Sequence, residues 1–312
     1  MKKIIGYLKD YIRSEFNPWV YLTMALFLSL SIWYNYENNF LRGEIYPMRG
    51  QWKQWGAYFL FFGLPYFLTL FIDFGFRGEL KKLLKPRIIA VAIFSMALLS
   101  FATFFHWHKA LSHFVFEPGF RMYGLKLFWN MKRLIVILLP LFLYWKLIDR
   151  EQPTFYGWTW KGANLKPYLI MLLIILPGII WASFQPDFMR SYPSHVPGNI
   201  EKASGWAWLS VGIYELVYGA DYALVELFFR GFLVIGMVKY LGKRAILPMV
   251  AIYCFLHFGK PAGETISSIF GGYLLGVIAL YSRSIWGGII VHMGLAWMME
   301  LAAWGQILFN QQ

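Results

Sequence analysis

Apolar residues fall in long, nearly unbroken stretches along this chain, with no sustained alternation and few sustained amphipathic stripes. The stretches cover residues 18–36, 55–74, 87–105, 131–148, 165–184, 207–240, 245–258, 264–282 and 285–308. Runs of about 18 or more apolar residues suffice to cross a hydrocarbon layer as α-helix. The pattern therefore predicts an all-α, polytopic transmembrane helix bundle with about eight or nine spans. Two stretches depart from it. Residues 207–240 are too long for one straight crossing at about 1.5 Å per residue and are expected to tilt, project into water or break near Gly219. Residues 245–258 are short for a span.

Residues 1–17, MKKIIGYLKDYIRSEFN, are basic and amphipathic, and predict a helix lying on anionic lipid. The apolar run after them is longer than a signal h-region and no small-residue cleavage site follows, so no cleavable signal peptide is expected. Composition agrees with a membrane body: 59% of residues are hydrophobic and 14% charged, against about 25% charged in ordinary soluble domains. The formal net charge is +13. Its cations sit mostly between apolar runs, including Arg77, Lys81, Lys82, Lys85 and Arg87 and the links around 146–166 and 239–244. That placement reads as positive-inside anchoring, with membrane lipid as the partner and no nucleic acid. The loops around 185–205 and 259–263 are poorer in positive charge. With nine spans this predicts a cytoplasmic N-terminus for a multi-pass protein; a bacterial cytoplasmic membrane is the expected location. The single cysteine, Cys254, excludes an intrachain disulfide and reads as an inert buried thiol.

Polar residues inside the apolar runs divide the chain functionally. Residues 1–205 hold few and read as accessory membrane helices. After the Pro/Gly-rich loop SYPSHVPGN (191–199), residues 206–312 carry Glu215, Asp221, Glu226, Arg230, His257 and His292 within or beside apolar runs. Ionisable groups at membrane depth are costly and are functional candidates by default. Glu226 and Arg230, four apart, share a helix face and form either a packing ion pair or part of a site. Glu215 and Tyr222 fall on the same face as Glu226, whereas Asp221 points away from it. His257 ends the run AIYCFLHFGKP before the helix breakers Gly259 and Pro261, and alone reads as a cap or core histidine. His292, in SIWGGIIVHMGLAWMMEL, alone reads the same way. Together, one glutamate and two histidines on three spans offer water activation with oxyanion stabilisation. The same three, Glu226, His257 and His292, could instead hold a zinc ion, although the H-E-x-x-H spacing is absent. Lys260 and Glu264 flank His257 in a polar turn where Glu264 or Thr265 is expected to cap the next helix. Gly271, Gly272 and Gly276 predict close helix packing.

VELFFRG, YCFLH and SIWGGIIVH follow one another with the order and spacing of the CPBP (Abi) intramembrane proteases. That family includes the type II CAAX prenyl endopeptidases and bacteriocin-immunity proteins. The resemblance covers about residues 206–305. Its motifs are E-E-x-x-x-R, F-x-x-x-H and H-x-x-x-N. Glu226 and Arg230 match the second glutamate and the arginine of the first, His257 the histidine of the second, and His292 the histidine of the third. Val225 stands where the family has its first glutamate, implied to activate water. Tyr253 replaces a phenylalanine. Ala296 replaces the asparagine implied to help bind the oxyanion.

The resemblance implies a hydrolase of peptide bonds in membrane-associated or lipidated peptide or protein substrates. Glu226 would activate water or orient the base, His257 would share the proton transfer, His292 would bind the oxyanion, and Arg230 would fix Glu226. Asp221, one turn before Val225, and Glu264 are the substitute carboxylates for the missing base. The alternatives are a catalytically inactive binding, immunity or scaffold protein of the same family, for which Val225 and Ala296 speak, and a transporter. The lack of repeated halves weighs against the last.

Overall fold

The computed structural model describes residues 1–161 and 164–309. Gly162 and Ala163, in the basic 146–166 link, and the last three residues lie outside them. Among the described residues fifteen α-helices follow one another and there is no strand. They are α1 (Lys2–Glu15), α2 (Pro18–Glu37), α3 (Trp52–Gly75), α4 (Pro86–Phe104), α5 (Trp107–Val115), α6 (Arg121–Arg133), α7 (Leu139–Leu147), α8 (Lys166–Ala182), α9 (Pro186–Ser191), α10 (Asn199–Ala203), α11 (Ala207–Glu226), α12 (Val238–Leu241), α13 (Ile246–Leu256), α14 (Ala262–Ser282) and α15 (Trp286–Phe309). A π-helical stretch, Leu227–Gly236, joins α11 to α12.

The all-helical membrane class holds, but the span count is lower than expected. Among the described residues five helical segments are long and apolar enough to cross: Trp52–Gly75, Pro86–Val115, Pro118–Leu147, Ala262–Ser282 and Trp286–Phe309. A sixth exists if α1 and α2, bent by 105° at their junction, count as one. The difference has physical causes. The 245–258 run yields an 11-residue helix, about 17 Å at 1.5 Å per residue. The 165–184 run yields 17 helical residues. In the 207–240 run the α-helix gives way to π geometry at Leu227, not at Gly219.

Two compact units divide the chain. The first comprises residues 1–105, 141–161 and 227–285. In it α1 packs on α14, with Tyr7 stacked on Tyr281 at 5.2 Å and the buried Tyr11 edge-on to Tyr273. Pro18 starts α2, and the Asn17 side chain caps it by accepting from the Trp19 and Val20 N–H groups. This capped, proline-started entry ends α1 and allows the sharp turn. Helix α13 packs against α14 at Gly272 and Gly276, where an added Cβ would stand 3.1 Å from the Tyr253 ring and 2.7 Å from the Met249 methyl. Gly271 faces open space. Neither Glu264 nor Thr265 caps α14, which starts without a side-chain cap. Thr265 instead donates to the His257 carbonyl at 2.7 Å. The described part of the 146–166 link is anchored by the fully buried Tyr156, whose hydroxyl donates to Asp149 while Lys239 pairs with the same carboxylate. Gly231 and Gly236 in the π stretch make room for Tyr156.

The second unit comprises residues 106–140, 162–226 and 286–312. Its centre is α11, which packs against α6 on one side and α15 on another, with α8 against α15. The contact of α11 with α15 is close because Gly219 sits against the Trp297 indole, whose N–H donates to the Glu215 carbonyl at 2.9 Å. Gly294 receives Leu172 of α8. Arg133 of α6 pairs with Asp221 of α11. The 191–199 loop is tied down by Glu300, which accepts from the Ser194 N–H at 2.9–3.0 Å and from its hydroxyl at 2.5 Å.

Candidate active site

In the second unit, Glu226 is the last residue of α11 and its side chain is wholly buried. Its Oε1 lies 3.0 Å from His292 Nδ1 on α15. The space for the carboxylate comes from Gly288, one turn before His292. A Cβ there would collide with Glu226 Oε2 and stand 2.8 Å from its Cδ. With Nδ1–H donating to the carboxylate, the imidazole lone pair is on Nε2. The His292 side chain is 13% exposed against 0% for Glu226, so of the pair only the imidazole has exposed surface.

The α11 face around the pair is aromatic. The Tyr222 ring lies 4.3 Å from the His292 ring, and its hydroxyl donates to that of Tyr218 at 2.6 Å. Ala296, one turn beyond His292, is buried in one cluster with Tyr123, Tyr214 and Tyr218, and Tyr222 packs against that cluster. Val225 is buried as well, so the two positions where the resembling motifs have Glu and Asn hold apolar buried side chains here. Asp221 is nearly buried and engaged with Arg133.

In the first unit, Arg230 is fully buried in the π-helical stretch, with its guanidinium 4.3 Å from the Tyr253 ring centre. His257, at the C-terminal end of α13, has Nδ1 2.7 Å from the Tyr253 carbonyl and its ring edge-on to the same tyrosine at 4.6 Å. A carbonyl only accepts, so Nδ1 carries the proton here also and Nε2 is the basic nitrogen. Tyr253 thus contacts both residues, which explains why an aromatic stands there. Glu264 lies in the first turn of α14, 3.8 Å from Lys260.

Among the described residues no three His, Cys, Asp or Glu side chains gather closely enough to hold a metal ion. Glu226 and His292 stand out in the sequence, whereas Gly288, which seats Glu226, and Arg133 and Tyr218, the partners of Asp221 and Tyr222, do not. The adjacent glycines in SIWGG and the four-residue spacing of Tyr214, Tyr218 and Tyr222 were the only available signals.

Residues 223–298 match the family of type II CAAX prenyl endopeptidases, Rce1-like. The match spans all three motifs and both units' candidate residues. No curated protein and no solved structure matches the chain. The chain is thus a multi-pass membrane protein in which residues 223–298 are similar to the Rce1-like CAAX protease family.

Proposed function

We propose that this protein is an intramembrane endopeptidase that hydrolyses a peptide bond in a membrane-associated or lipidated substrate, and that residues 206–312 carry the chemistry. The observation that carries the reading is the Glu226–His292 pair. A wholly buried carboxylate holds Nδ1 of an imidazole that is itself partly exposed. This is the arrangement in which a carboxylate fixes the tautomer and stabilises the imidazolium while the imidazole moves protons. Glu226 therefore takes the orienting role and His292 that of base, in place of the oxyanion-binding role that its motif position implies. His292 Nε2 accepts a proton from water as the water oxygen bonds to the scissile carbonyl carbon and the carbonyl electron pair moves onto oxygen. Collapse of the oxyanion restores the C=O bond and breaks the C–N bond. The proton on Nε2 passes to the departing nitrogen, leaving a carboxylic acid and an amine. The family resemblance gives His257 a share in the proton transfer and Arg230 a supporting role. The basic loops support a cytoplasmic N-terminus.

The test is cleavage of a mixed library of apolar and lipidated peptides by the purified chain in detergent, read by mass spectrometry. Glu226→Gln, which keeps shape and loses charge, is expected to lower kcat by about 10²–10⁴-fold with folding retained. His257→Ala is run alongside. Equal loss of folding and cleavage would make Glu226 a packing residue instead. A second reading, an inactive binding relative, draws on the apolar burial of Val225 and Ala296. A well-folded chain that cleaves no member of the library favours it.

A further inference from the structure

A tetrahedral intermediate beside His292 needs a hydrogen-bond donor on its oxyanion, and removing one such donor typically costs orders of magnitude in kcat. His292, acting as base through Nε2, is not that donor, and Ala296 carries no polar atom. We infer that the Tyr222 hydroxyl donates to the oxyanion. The inference rests on the hydrolase reading above and adds a catalytic residue to it.

Three observations within the second unit carry it. First, the Tyr222 ring lies against the His292 ring, with centroids 4.3 Å apart at 49°. Second, Tyr222 belongs to a fixed column on one face of α11. Tyr214 and Tyr218 are stacked at 5.7 Å, Tyr218 and Tyr222 meet edge-on at 5.1 Å, and the column ends on His292. A phenol held in such packing is preorganised, which is what an oxyanion donor requires. Third, Ala296, 3% exposed, shares one buried cluster with Tyr123, Tyr214 and Tyr218, and Tyr222 packs against that cluster, so the phenol lies by the position where the motif's asparagine is missing.

In the resting structure the Tyr222 O–H donates to the Tyr218 oxygen at 2.6 Å. Rotation about the C–O bond redirects the proton without moving the ring. It exchanges a neutral hydrogen bond for a charge-assisted one, which is the stronger type. No proton leaves Tyr222, so the reaction's balance is unchanged.

The experiment measures kcat and KM on a peptide cleaved by the full-length protein in detergent, for wild type, Glu226→Gln, Tyr222→Phe and Tyr218→Phe. Thermal unfolding is recorded for each. Tyr222→Phe is expected to lower kcat by about 10²–10³-fold with KM within about threefold. Tyr218→Phe, which removes only the resting acceptor, is expected to stay within about fivefold of wild type. Tyr222→Phe at the wild-type rate, with Glu226→Gln inactive, overturns the inference and leaves the hydrolase reading standing. Wild type no faster than Glu226→Gln overturns both. If Tyr222→Phe fails to fold, 3,5-difluorotyrosine at position 222 keeps the shape and acidifies the phenol. The alkaline limb of the kcat–pH profile should then move to lower pH, and an unmoved limb overturns the inference.

Discussion

Gly288→Ala tests the site without touching any group that does chemistry. The added Cβ would stand 2.8 Å from Glu226 Cδ and closer still to Oε2. Carbon–carbon contacts relax at about 3.5–4.0 Å, so one partner must move by about 0.7–1.2 Å. Glu226 is 0% exposed, and no solvent-facing space lets it swing aside. A shift of that size lengthens the 3.0 Å bond to His292 beyond hydrogen-bonding distance. Misplacement by about 1 Å costs roughly 100-fold in rate. Overpacking costs about 1–3 kcal/mol of stability, offset by up to about 1 kcal/mol from replacing a helical glycine. The expected result is a folded protein, slightly destabilised, with kcat down about 100-fold. Gly271→Ala is the control. It lies in α14 with nothing within 4 Å of its Cβ position, so it should gain up to about 1 kcal/mol and keep its rate. The assay pairs cleavage kinetics with denaturant unfolding of both variants. Gly288→Ala that folds and retains kcat within about threefold of wild type would refute the idea that Glu226 works from its seat against Gly288.

Two further outcomes follow from groups outside the Glu226–His292 pair. Asp221→Asn should destabilise by about 1–3 kcal/mol, between the values for exposed and buried ion pairs, because Arg133 is 25% and Asp221 7% exposed. Cleavage per folded molecule should be unchanged; a matching loss of kcat would instead make Asp221 the substitute base. In the 191–199 loop, burial pushes the His195 imidazole below its ordinary value of 6.5, with Glu201 opposing. The folded state thus resists a proton that the unfolded chain accepts. The His195 contribution to stability is present above about pH 6.5 and is lost as pH falls below it. His195→Gln should flatten the fall in unfolding temperature between about pH 7 and 5; an unchanged slope would show that His195 does not set it.

The helical membrane class was legible because apolar runs have no other stable form in a bilayer. Span ends were not. The apolar run 207–240 continues without a proline or polar run through Leu227, so hydropathy carries no mark where the helix changes type, and the visible glycine at 219 serves Trp297 instead. Short helices such as α13 look like spans in a hydropathy reading because burial in protein and burial in lipid select the same residues.

The site divided along a different line. Glu226 and His292 stood out because a charge or imidazole in an apolar run is costly and therefore rare. Their pairing across 66 positions depends on the register of α11 against α15, which no local pattern encodes. The same holds for Asp221. Its distance from the Glu226 face was readable, but its partner Arg133, 88 residues away, was not. Gly288 was harder still, since its contribution is the absence of a Cβ. Ala296 shows how this limit bears on mechanism. As a letter in a motif it is a lost donor. In the structure it shares a buried cluster with Tyr123, Tyr214 and Tyr218, and Tyr222 packs against that cluster. A polar asparagine at 296 would have to satisfy its amide inside that aromatic cluster, where burial without partners is costly. The missing donor and the tyrosine offered in its place thus belong to one packed cluster.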